Sequence, residues 1–241
     1  MGLREKLRGL VNSSFGNPVA TQHTPVLQRV GAVLLAVGLI DIAVMIYCIA
    51  NRISYASSFS IFAVVAGIFL LRGSLRAASI VRWFSVFMLS GFVALLIAWP
   101  LMQPVGLTLT QIRLNPGTSI ATFAVLAFVL GLLFWLAREL GREPVMAARA
   151  SAGRKPRDMR IPAAAGVGMV IVMIIFMTLL LGGETADRAM SMAEQQIGPG
   201  YRFHVSSLNI ATNNQGTSVS GVVTAWNDNE IRTVPVHWVE R

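Results

Sequence analysis

Asp41 is the first residue to examine for chemistry. It lies near the middle of an apolar run, residues 30–50, that holds no other acid and no Lys, Arg or His. A carboxylate at the centre of a bilayer costs about 2.5–3.5 kcal/mol on insertion scales, so it must face protein or water and find a partner. Two roles fit. One is a proton or cation site; the other is a helix-packing contact, protonated or hydrogen-bonded to a Ser or Tyr of a neighbouring helix. No second acid, Lys or His falls inside any apolar run. A relay needs more than one such group, so packing is the favoured role.

The next candidates lie near the C-terminus. His204 and His237 could meet on one face of a sheet and, with Asp228 or Glu230, hold a metal. Two solvent-facing histidines are the simpler reading, and no metal site is assigned. Trp226 and Trp238 read as core or membrane-interface anchors, and with His204 and His237 they mark a possible interaction surface. The serines have no neighbouring His or Lys, and neither G-x-S-x-G nor H-E-x-x-H occurs. Gly166-Val167-Gly168 lies inside an apolar run with no strand before it, so it is no dinucleotide fingerprint. No catalytic residue and no cofactor is assigned, and the expectation leans away from an enzyme.

The elements that must position these residues follow from composition. Apolar residues make up 54% and charged residues 13% of the 241 residues, and the mean hydropathy is +0.63. A soluble domain carries about 25% charge. Cys48 is the only cysteine, which excludes an intramolecular disulfide. The expected fold class is an α-helical membrane bundle of about five spans with a small C-terminal α+β domain. The spans fall near residues 30–50, 55–71, 83–102, 118–137 and 162–182. Each has to supply about 20 residues to cross a core of roughly 30 Å, and the second is the shortest.

Charge arbitrates that second span. With five spans and the N-terminus inside, the cytoplasmic face carries Arg4, Lys6, Arg8, Arg29, Arg72, Arg76, Arg82, Arg138, Arg142, Arg149, Arg154, Lys155, Arg157 and Arg160. The outer face carries Arg52, Arg113, Arg188, Arg202, Arg232 and Arg241, and together these are all 20 Lys and Arg. That partition obeys the positive-inside rule. Omitting the second span would move the basic loop, residues 138–161, to the outside. The acids balance the outer face, so the excess positive charge resides on the cytoplasmic side, where it suits anionic lipid; Asp41 within the first span brings the total to the net +9. Nucleic acid is not an expected partner, because no aromatic residue interleaves the basic loop to stack on bases.

Residues 1–28 form a cytoplasmic N-terminal segment. Within it Leu3, Leu7, Leu10 and Val11 have the spacing of a short amphipathic helix at the lipid surface. The segment lacks signal-peptide character, and Lys6 stands where myristoylation needs Ser or Thr. Residues 29–183 are the membrane domain. Small residues recur four apart in each span: Ala32 and Ala36, Ala63 and Gly67, Ala94 and Ala98, Ala127 and Gly131, Ala164 and Gly168. Such pairs let helices approach closely.

Residues 184–241 form the outer domain, periplasmic in a Gram-negative host. Ala186, Met190, Ala193 and Ile197 have helical spacing, ended by Gly198-Pro199-Gly200. Three strand-like runs follow, with turns at Asn213-Asn214-Gln215-Gly216 and Asn227-Asp228-Asn229. Pro235 places the third run at a sheet edge. A domain this small is marginal alone, so it needs the membrane, a second copy or a partner. In arrangement, without a shared motif, a membrane helix followed by a short helix and a small sheet resembles the tail of the cytochrome oxidase assembly factor family. The favoured function is a non-enzymatic accessory or assembly subunit of the bacterial inner membrane, acting through a membrane-protein partner or as a homo-oligomer. The alternatives are a small transporter or channel subunit using Asp41, and a membrane sensor or regulator.

Overall fold

The computed structural model describes residues 23–52, 59–153, 157–213 and 216–240. The amphipathic helix expected over residues 1–16 and the centre of the 213–216 turn lie outside these. The chain divides into two compact units. One comprises residues up to Leu89 with Gly131–Ala163; the other comprises Ser90–Leu130 with Ala164–Arg241.

The first unit is helical. Helix α1 spans Thr24–Ala50 with a proline in its first turn, where the missing N–H has no cost. Asn51 and Arg52 end it, with Arg52 in the left-handed region at φ 56°. Helix α2 spans Phe59–Leu71. The unit is completed by the start of α3 (Leu75–Met102), the end of α5 (Pro116–Glu139), α6 (Glu143–Ser151) and the start of α7 (Arg160–Leu181). Its core joins Leu27, Val30 and Leu34 of α1 to Ala63, Ala66 and Leu70 of α2, with Val81, Leu136, Leu140 and Val145 beside them.

Helices α1, α3, α5 and α7 are long and apolar enough to cross a membrane, as a multi-pass membrane protein requires. They leave Ile40, Ile97, Ile120, Val125, Val172 and Leu179 exposed. A helix apolar on all sides and only partly covered by protein is suited to lipid. Helix α2 is shorter, with 13 residues and a length of about 20 Å.

Three segments differ from the sequence-based expectation. Helix α3 begins at Leu75 instead of near residue 83, because Arg76 and Arg82 are carried inside it. The basic loop holds α6, whose first turn contains Pro144. The loop over residues 103–117 holds α4, Val105–Leu114.

The second unit ends in the C-terminal domain. Gly183, at φ 83°, separates α7 from α8 (Glu184–Ile197). Strands β1 (Arg202–Asn213), β2 (Gly216–Trp226) and β3 (Ile231–Glu240) follow. They form an antiparallel sheet in the order β1-β2-β3. Ala186, Ala189 and Ala193 of α8 pack on one sheet face, against Val205, Val219, Val223, Ala225, Val234, Val236 and Trp238. Alanine on the helix lets the strands approach, and valine fits the pleat. The ladder slips at a bulge between Val205 and Ser207.

Candidate functional site

A concave feature lies in the second unit, where α4 meets the open end of the sheet. Helix α4 carries Val105, Leu109 and Ile112 at helical spacing. Leu107 and Thr110 are buried, whereas Leu109 is 61% exposed. The end of α3 holds this helix in place. Trp99 Nε1 donates to Thr108 Oγ1 at 3.3 Å, and Gln103 Nε2 donates to Gln111 Oε1 at 3.1 Å.

The C-terminal domain contributes the facing wall. Arg202 opens β1 and pairs in register with Trp226, the last residue of β2. Trp226 stands on the sheet face opposite α8, since Ala225 faces the helix core. Its side chain is nonetheless only 5% exposed, because α4 covers it. Gly106 makes that approach possible: a Cβ there would lie 3.2 Å from Arg202 Nη1 and 3.5 Å from Trp226 Nε1. Thr110 Oγ1 donates to Gly106 O at 3.0 Å and lies 3.4 Å from Asn227 O.

The result is a cleft of about 510 Å³, with Leu109, Ile112 and Arg113 on one side and Arg202, Trp226 and Asp228 on the other. Trp226 Nε1 is buried without a hydrogen-bond partner. Chemically, the cleft offers N–H donors and positive charge beside an apolar wall.

Behind the cleft, the Tyr201 hydroxyl donates to Glu230 Oε1. Arg232 closes the group, with Nη2 3.0 Å from Glu230 Oε2 and its guanidinium over the Tyr201 ring. The hydrogen bond from Tyr201 holds the Glu230 carboxyl below its ordinary range, with Arg232 adding to the effect. The same bond pushes the Tyr201 phenol up.

The residues singled out from sequence do not converge. Asp41 sits in α1, half-buried and engaged by a neighbour. Trp226 and Trp238 stand on opposite faces of the sheet: Trp238 is in the core against α8, with the Arg188 guanidinium 5.6 Å from its ring centre. His204 and His237 share the face opposite α8. His204 aligns through Thr224 with Thr233, however, and His237 lies four positions further along β3, about 13 Å at strand rise. No metal-binding group forms among the described residues.

A second polar cluster lies in the first unit and ties α6 to α3. Arg149, 4% exposed, donates from Nη2 to Ser79 Oγ at 2.7 Å. Arg82 Nη1 contacts Met146 Sδ at 3.0 Å. The buried Glu139 pairs with Arg142 at 2.9 Å. The contacts of Arg149 with Ser79 and of Arg82 with Met146 fasten α6 to the start of α3.

Sequence reading missed Gly106, Thr110, Arg113 and Arg202. The apolar spacing of Val105, Leu109 and Ile112 was the available signal for α4. The chain matches no family model, no curated protein and no solved structure.

Proposed function

We propose that this chain is a non-enzymatic accessory subunit of the bacterial inner membrane whose C-terminal domain docks onto a larger membrane protein from the outer side. The observation that carries the reading is the anchoring of the domain by Trp226 on Gly106 of α4. That contact supports an orientation in which the sheet face opposite α8, carrying Ser206, Ser220, Thr224, Thr233 and His237 beside Val222 and Val239, is the one offered to a partner. A weakly charged face presented in this way suits recognition of a protein partner.

The orientation rests on charge together with contacts. The Arg149–Ser79 bond draws the basic segment to the turn between α2 and α3. The Trp226–Gly106 contact draws the C-terminal domain to the turn between α3 and α5. The positive-inside rule sorts the loops into the same two groups. Helix α2 runs back along α1 until Leu71 reaches the level of Gly31. That antiparallel run supports counting the short α2 as a passage, and with the charge partition it favours five passages, with the N-terminus in the cytoplasm and the C-terminus outside.

The test is purification of the tagged protein from its native membrane in mild detergent, with co-purifying proteins identified by mass spectrometry. A stoichiometric partner, lost when the chain ends at Gly183, is the expected result. A clean homo-oligomer without a partner would overturn the accessory role and bring Asp41 forward as a transport residue.

A further inference from the structure

We propose that the cleft between α4 and the sheet binds the phosphodiester of a glycerophospholipid headgroup, with Arg202 and the Trp226 indole N–H as the donors. The inference is independent of whether the domain docks a partner. Two donors converge above bare backbone: Arg202 Nη1 and Trp226 Nε1 both lie within 3.5 Å of where a Gly106 Cβ would stand. Trp226 lines the cleft and its Nε1 has no acceptor, although the side chain is nine-tenths buried. A buried N–H without a partner is costly, and an acceptor brought by a ligand removes that cost. Arg113 lines the same cleft, so the acceptor should carry negative charge. A phosphodiester has two non-bridging oxygens, and one group can accept from a guanidinium and an indole at once.

The surroundings select a lipid over a free anion. Helix α4 joins α3 to α5, two helices long and apolar enough to cross a membrane. It exposes Val105, Leu109 and Leu114, which sets it at the level of the bilayer surface. Leu109 and Ile112 line the cleft beside the donors. That wall suits the glycerol and first acyl carbons of a lipid and offers nothing to inorganic phosphate. Asp228 on the rim disfavours a second anion and complements an ammonium, so an ethanolamine headgroup fits best.

The experiment uses the full chain, labelled with ¹⁵N-tryptophan, in a phosphate-free non-ionic detergent. The 5 tryptophans give resolvable indole signals, and Trp226→Phe assigns the one of interest. Titration with dihexanoyl phosphatidylethanolamine should shift the Trp226 indole N–H downfield and saturably, while the Trp238 signal stays in place. Dihexanoylglycerol, which lacks the phosphate, should leave both unmoved. Arg202→Gln should weaken the titration at least tenfold, and a retained Trp238 signal reports that the domain is folded. Should that signal vanish, Gly106→Ala replaces it, because its Cβ presses on Arg202 Nη1, and the same weakening is expected. The proposal is overturned by a Trp226 signal that does not move, by inorganic phosphate acting as well as the lipid, or by a titration indifferent to both variants.

Discussion

Gly31 of α1 and Gly67 of α2 pack backbone to backbone: a Cβ on either would lie 2.9 Å from the carbonyl oxygen of the other. This contact holds the 13 residues of α2 along α1. Overpacking a close contact costs about 1–3 kcal/mol, and here the obstacle is backbone, which cannot step aside. Gly67→Val should therefore lower the thermal midpoint in detergent and the yield of monodisperse protein. Gly131→Val, at a helical glycine with open space around it, should leave both unchanged. Equal effects at the two sites would show that the glycine contact does not pin α2.

The Arg149–Ser79 bond should matter for stability. Hydrogen bonds to charged groups contribute about 1.5–3 kcal/mol, and Ser79 is itself buried. Ser79→Ala is expected to destabilise by about that amount in thermal or denaturant unfolding in detergent. Ser151→Ala, an exposed position in the same helix as Arg149, serves as the neutral comparison.

The C-terminal domain should be most stable between about pH 6.5 and 10. Burial holds His204 below its ordinary value of 6.5, so the unfolded chain takes up that proton first. Stability is then lost as pH falls from 6.5 through the folded value. Glu230 is also held low, from an ordinary 4.5; its contribution is present above 4.5 and disappears as pH falls through the folded value. Tyr201 is raised above 10.0, so the unfolded chain loses that proton first and stability declines as pH rises past 10. Near-ultraviolet melts of the full chain at stepped pH measure this. Tyr201→Phe should flatten the alkaline limb and weaken the acid limb below 4.5, and His204→Gln should flatten the slope just below 6.5.

The topology has a direct readout. With Cys48 replaced by Ser, a cysteine at Ser151 should resist a membrane-impermeant maleimide in intact cells, and one at Ser218 should react. The reverse labelling would refute the five-passage arrangement.

Asp41→Asn keeps the shape and hydrogen-bonding capacity of the side chain and removes its charge. A packing role for Asp41 implies normal accumulation and normal partner recovery in pull-downs of this variant. Loss of function with normal accumulation would point to transport.

Much of the fold was legible from the sequence because lipid imposes a simple rule. Long apolar runs mark the four long helices, and alternation marks the strands up to the bulge, with Tyr201, Phe203 and Val205 set against Arg202 and His204. The tertiary choices were not legible. In α1 the close contact is made by Gly31, whereas the expected Ala32 and Ala36 are exposed, because the face a helix presents depends on its neighbour. Trp226 and Trp238 look equivalent in the sequence, yet their strand parity and register send them to opposite faces. The cleft was hidden for a related reason. Gly106 and Arg202 are far apart in sequence, and only the docking of α4 against the open end of the sheet brings them together.

Both outer strands of the small sheet carry an interruption: the bulge at Val205 and Ser207 in β1, and Pro235 in β3. Tethering to a membrane confines copies of a domain to a thin layer, where they meet far more often than in free solution. A sheet with two regular open edges would grow there strand by strand into ribbons. The displaced residue in β1 and the absent N–H in β3 work against such growth, so crowding at a membrane surface need not turn the domain into a ribbon.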